Sequence, residues 1–362
     1  MFYRQDRNSL LLQFLLLFVV VSAPSCARAN EAKANPAADN YRLAADYSKS
    51  LRGLSLLVVK DGKTVFEEYH NGHSATAKHM LASGTKSFSG VMCAAAIEDG
   101  LIRNFDEKVS DTIVEWRSDA RRSRITIREL LSLTSGIETG PIGRPPAYSE
   151  AIGFRAHYDP GTTFEYGPVP FQVFGELMRR KLVPMNETVL DYLSRRILSP
   201  IGLATGSWKL QEGEPNLPSG ASLTAREWAK FGELLLNNGN YNGRQIVSAS
   251  LIRELSKGST ANPNYGLTFW LNRSFNGAAK IAKDENQRGQ RIRRLLKITP
   301  ETEKISLQGF GSDLPIDLFA AAGAGKQRLY IVPSRNMVIV RQGRQSRFDD
   351  HEFLSLLLGG NK

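Results

Sequence analysis

The chain is poor in cysteine: its 362 residues contain two, Cys26 and Cys93. A scaffold stapled by disulfides is excluded. Beyond the first thirty residues it has no hydrophobic run of membrane-spanning length, which excludes a multi-span membrane protein. There is no G-x-S-x-G elbow, no H-E-x-x-H and no Walker loop. The five histidines, His70, His73, His79, His157 and His351, stand without metal-ligand spacing. The glycines of "GTKSFSG" and "GAGKQ" do not follow the strand-glycine-helix pattern that cradles phosphate. We therefore expect no metal and no cofactor. What remains is an ordinary globular composition, 41% hydrophobic and 23% charged, long enough for one large domain or two of about 150 residues.

The first segment reads as an export signal. Arg4 and Arg7 precede the apolar run Leu10 to Val21, and small residues follow in "SAPSCARAN". A run of twelve is too short to span a bilayer, which takes about 20 residues. Ala27-Arg28-Ala29 predicts cleavage after residue 29, taking three basic and one acidic residue and lowering the net charge from +11 to +9. The expected location is the periplasm or the exterior. A lipoprotein anchored at Cys26 is the rival route, disfavoured by Pro24 and by the lack of Leu three residues before the cysteine. Residues 30–40 read as a polar linker, and 41–362 as the domain proper. Cys93, within "FSGVMCAAAIEDG", reads as a small core residue without chemistry.

Two runs rich in β-branched and aromatic residues flank Asp61-Gly62, predicting a hairpin that starts near Leu54. Strand-like runs return only in "NYGLTFWLN", "QRLYIVP" and "MVIVRQG", and the chain ends on a helical pattern, "DDHEFLSLLLGG". The stretch from Ser83 to about Gly100 reads as a helix buried on most sides. Between lie amphipathic helical patterns such as "PVPFQVFGELMRRKL" and "SLTAREWAKFGELLLNNG", the latter with a Thr224/Glu227 capping box. The fold class expected is α/β (α+β): an antiparallel sheet flanked by helices. Its sheet part comes from about 41–82 and 215–362, with a mainly helical subdomain, about 83–214, inserted between them. The basic stretch Lys280–Lys297 offers a contact to an anionic envelope polymer or lipid surface, although the acidic run after it favours a solvated insertion. Nothing resembles a nucleic-acid-binding motif, and no nucleic-acid partner is expected.

One motif carries chemistry. Ser83-Gly84-Thr85-Lys86 is the single S-x-x-K of the chain, at the first turn of the buried helix. Residues three apart share a helix face, so the hydroxyl and the amine can meet. Burial disfavours the charged ammonium, and a neutral amine can accept the serine proton. The helix N-terminus adds a positive field for a developing oxyanion.

Several segments in the same order resemble the serine β-lactamase and penicillin-binding-protein superfamily, specifically its class C-like branch. "LASGTKSFSG" resembles the nucleophile motif, "ITIRELLSLTSGI" the helix that follows it, and "DPGTTFEYGPVPFQVFGELM" the Pro-Gly-x-x-Phe-x-Tyr segment. "PIGL" and "GASLTAREWAKFGELLLNNG" are similar to later segments of the branch. The resemblance implies Ser83 as nucleophile, Lys86 as its proton-relay partner and Tyr166 as general base. A base at Tyr166 would need a phenol partly ionised near neutral pH, its pKa lowered by a cation such as Lys86. It also implies an oxyanion hole from the N–H groups of Ser83 and Ala324, and substrate contacts at Gly167, Pro168, Ala321, Ala322 and Gly323.

Two departures limit the specificity. Pro168 stands where the family has Asn, and Ala321-Ala322-Gly323 where it has Lys-Thr-Gly or His-x-Gly. Losing that cation argues against substrates held by a carboxylate; Lys326 or Arg328 are the candidates to replace it. The expected function is an exported serine hydrolase that forms an acyl-enzyme on a small ester, amide or peptide-like substrate. The alternatives are a catalytically poor envelope binding protein of the same fold, and a true β-lactamase or D-alanyl peptidase. The oligomeric state is left open.

Overall fold

In a computed structural model of the chain, residues 36–203, 208–273, 305 and 309–359 are described. They belong to one compact unit, Pro36–Lys362. The expected signal segment 1–29 and the basic stretch Lys280–Lys297 lie outside the described residues.

The first helix, α1 (Pro36–Ser50), begins inside the stretch read as linker. Pro36 has the φ of a helical first residue already fixed and lacks an N–H that would go unpaired there, and Asp39 adds an acidic residue to the first turn. The hairpin follows as expected. Strands β1 (Gly53–Lys60) and β2 (Lys63–Tyr69) are joined by Asp61 and Gly62, both at positive φ, the geometry that a tight two-residue turn demands.

Four more strands complete an antiparallel sheet: β3 (Trp270–Leu271), β4 (Phe319–Gly323), β5 (Gln327–Val332) and β6 (Met337–Gly343). The order is β2-β1-β6-β5-β4-β3, so β1 pairs directly with β6 from the far end of the chain. The predicted sheet built from both ends is therefore present. "NYGLTFWLN" contributes only two residues to it. Gly266 N–H bonds Phe269 O, Tyr265 bridges to Trp270, and Thr268 takes a positive φ, so this segment turns back on itself rather than running on as a strand.

One face of the sheet is covered by α5 (Ala225–Leu236). A Cβ placed on Gly232 would lie 2.5 Å from Val338 and 2.8 Å from Leu329, which shows how closely this helix rides on β5 and β6. The expected capping box is formed: Thr224 accepts from Glu227 N–H and Glu227 from Thr224 N–H. The opposite face carries α1 and the last helix, α6 (Asp350–Leu358). Between β2 and α5 lies the helical part, with α2 (Ser87–Glu98), α3 (Ile127–Leu131) and α4 (Val169–Leu182). Residues 87 to 96 of α2 are all buried, which explains the absence of any polar stripe in that segment. Cys93 lies fully inside, its thiol pushed toward the protonated form by burial.

Candidate active site

The Ser83 motif lies on a 3₁₀ turn, Ala82–Lys86, that leads into α2 instead of on an α-helical first turn. The difference matters for geometry. In a 3₁₀ turn residues i and i+3 eclipse one another, and Lys86 Nζ stands 3.0 Å from Ser83 Oγ. Ala82 enters the turn with φ 47°, a left-handed conformation that costs a non-glycine residue about 1–2 kcal/mol. The surrounding packing compensates. Leu81 N–H bonds Ala221 O, Gly84 N–H bonds Leu81 O, and a Cβ on Gly84 would fall 2.9 Å from the Trp228 ring.

Lys86 is buried, with 4% of its surface exposed. Its other hydrogen bond goes to Pro218 O at 3.1 Å, a neutral acceptor. Burial lowers its pKa to about 7. The sequence expectation of a lysine able to act as a base thus has its physical cause in place.

Tyr166 reaches the same point from the loop before α4. The Ser83 hydroxyl is close enough to favour its ionised form, and Lys86 Nζ lies 5.1 Å from its ring centroid. Its ring stacks on Trp270 at 5.4 Å and meets Tyr265 edge-on at 6.2 Å. The expectation of a phenol lowered toward neutrality is not met. Desolvation raises Tyr166 to about 12, against weaker lowering influences from Ser83 and Arg328. The reason is burial, which penalises the phenolate and, in the same way, the Lys86 ammonium that was expected to stabilise it. These shifts put the amine, and not the phenol, in the range that titrates near neutral pH.

The remaining predicted positions divide by face. Ala321 pairs with Leu329, which faces α5, so Ala321 and Gly323 turn toward the nucleophile layer. Ala322 pairs with Arg328 and turns the other way. Gly323 packs directly on the nucleophile turn: a Cβ there would lie 2.0 Å from Leu81 O and 2.9 Å from Gly84 N. Gly323→Ala is therefore expected to displace the Ser83 turn and to lower kcat/KM on a small ester at least about tenfold. A wild-type rate in that variant would mean that strand and turn are not interlocked. Ala324 follows, exposed, at the start of the turn of residues 324–326 between β4 and β5.

Gly167 and Pro168 follow Tyr166 directly. Both are buried; a Cβ on Gly167 would fall 2.3 Å from Thr139, and Pro168 forms the N-cap of α4, its carbonyl accepting from Phe171 and Gln172. Arg328 does not replace the missing cation. Arg328 is buried and bound through two bonds to Asp350 of α6, on the far face of the sheet. Lys326 is buried too, in the β4–β5 turn. The inward position at Ala321 is therefore occupied by a methyl group alone.

Residues 38–347 match the family model Beta-lactamase. The chain belongs to the beta-lactamase family. Among curated proteins it is similar to Protein flp of Staphylococcus aureus, 24% identical over 177 residues, 43% of this chain and 35% of that protein. The chain thus spans about a third of the length of this relative. Among solved structures, a putative 6-aminohexanoate-dimer hydrolase from Bacillus anthracis superposes with TM-score 0.64 at 20% identity, over 87% of this chain and 80% of that one. A family VIII carboxylesterase superposes with TM-score 0.64 at 17% identity, over 90% and 97%. These likenesses establish the shared fold of an antiparallel sheet with helices.

Proposed function

We propose that this beta-lactamase-family protein is an exported serine hydrolase that cleaves a carboxylic ester or a small amide through an acyl-enzyme on Ser83. The observation that carries the reading is the 3.0 Å contact between Ser83 Oγ and a lysine that burial brings to a pKa of about 7. The Ser83 proton passes to Lys86 Nζ as Oγ attacks the carbonyl carbon. The resulting oxyanion is held by the N–H groups of Ser83 and Ala324. Collapse expels the leaving group, which takes a proton from Tyr166, itself resupplied from Lys86. Water then attacks the acyl carbon, giving one proton to the relay, and the carboxylic acid leaves with Ser83 restored.

The methyl group of Ala321 favours an uncharged acyl group over a substrate anchored by its carboxylate. The resemblance to an ester hydrolase and to an amide hydrolase is consistent with that choice. A second reading, an envelope binding protein of low catalytic power, is favoured by the protonated Tyr166 and the missing cation. Hydrolysis of a short p-nitrophenyl ester and of a chromogenic cephalosporin by the purified chain separates the readings. Turnover of the ester alone supports the proposal; preferred turnover of the cephalosporin replaces it with a β-lactamase, and turnover of neither favours the binding protein.

A further inference from the structure

The turn that carries Ala324 is held by more buried side chains than a hairpin needs. Arg341 on β6 is completely buried and donates from one terminal nitrogen to Lys326 O at 2.7 Å. Its Nε donates to Ser48 Oγ at 2.9 Å and its other terminal nitrogen to Leu51 O at 3.2 Å, both at the end of α1. The guanidinium lies 3.9 Å over the Phe348 ring. Arg328 donates to Gly323 O at 3.2 Å while Asp350 grips it from α6, and Tyr330 donates to the same carboxylate. Gln327 completes the set, bonding Ala324 O at 3.3 Å and Gly343 O at 2.5 Å and accepting from Gly343 N–H. The carbonyls of residues 323, 324 and 326 are each bound by a buried side chain of β5 or β6.

Burying two arginines around one carboxylate is costly, and a hairpin could be closed by exposed polar residues at far lower cost. The arrangement is intelligible if the orientation of the turn itself is needed. We propose that Arg341, with Arg328 and Gln327, is a positioning residue that fixes the Ala324 N–H toward the carbonyl oxygen of a substrate bound at Ser83. This rests on the acyl-enzyme reading above. Arg341 and Arg328 act from the α1 and α6 face, so the site keeps a rigid oxyanion donor although it has no inward cation on β4. Arg328 also places a positive charge near enough to Tyr166 to favour its ionised form slightly.

Arg341→Lys keeps the charge but cannot reach three acceptors at once. Expected is a fall in kcat of about 10- to 100-fold with KM within about threefold, because the donor acts on the transition state. A phenylboronic acid, whose boron accepts an electron pair from Ser83 Oγ while the proton goes to Lys86, should bind more weakly by a similar factor. Amide exchange at residues 324–326 should accelerate in the same variant. Gln327→Met serves if Arg341→Lys does not fold. Wild-type kcat, boronate affinity and amide exchange in a folded variant would overturn the clamp even if Ser83 is the nucleophile. Absence of Ser83-dependent turnover in the wild type would instead defeat the acyl-enzyme reading, while the exchange measurement still decides whether the clamp holds the turn.

Discussion

Ser83→Ala should lower kcat/KM for a short p-nitrophenyl ester by at least about 10³-fold, leaving only what binding and the oxyanion donors supply. The variant should unfold at the wild-type temperature or slightly above it. Ser83 is half-buried, its Oγ accepts from Lys86 Nζ, and the strain at Ala82 is set by the backbone of the turn, so removing one oxygen disturbs no core packing. Measured rates and thermal transitions together check this. Retained turnover would place the chemistry at another residue, and a large loss of stability would make the serine structural.

The second large effect is at Lys86. With a pKa of about 7, its neutral form is lost as pH falls through that value, so kcat/KM should decline about tenfold per unit below pH 7 and level off above it. Lys86→Met should abolish the activity by about 10³-fold or more. The same substitution should also stabilise the fold at low pH, and the sign follows from linkage. In the unfolded chain the amine titrates near 10.4. Below about pH 7 it is charged in both states, and the folded state bears the full cost of burying an ammonium, on the order of 5 kcal/mol from a shift of this size. Between about 7 and 10 the folded state releases its proton first, and wild-type stability rises with pH. Loss of the bond to Pro218 O offsets about 1 kcal/mol of the gain. Thermal unfolding at pH 6.5 and 9.5 should therefore show the variant more stable by several degrees at the lower pH, with the gap closing at the higher. A gap that widens with pH would contradict a neutral, buried lysine.

How much of this could be read in the sequence depends on what kind of fact each residue records. Ser83 and Lys86 are separated by three positions, and any helical turn brings such residues together; the finer point, a 3₁₀ turn that eclipses them, depends on Leu81 and Gly84 bonds that no spacing reveals. The hairpin at Asp61-Gly62 and the Thr224/Glu227 cap are local devices, and both appear as expected. Tyr166 was reachable through its segment, yet the direction of its pKa was not, because desolvation by Trp270 and Tyr265 comes from residues a hundred positions away. Pro168 looked like a lost substrate contact and is a helix cap. Arg328 reads in the sequence as a candidate for the missing cation, and Arg341 carries no expectation there. Their burial depends on Asp350 and on the end of α1, so the clamp exists only in three dimensions.

The account stands or falls on the acyl-enzyme. The most direct measurement is intact-mass and peptide-mass analysis of protein quenched in acid seconds after mixing with a slowly deacylating aryl ester. The account predicts a mass increase of one acyl group on the peptide that contains Ser83, absent from Ser83→Ala. An acyl group on any other residue, or rapid ester turnover through which no acyl group is ever trapped on Ser83, would contradict it.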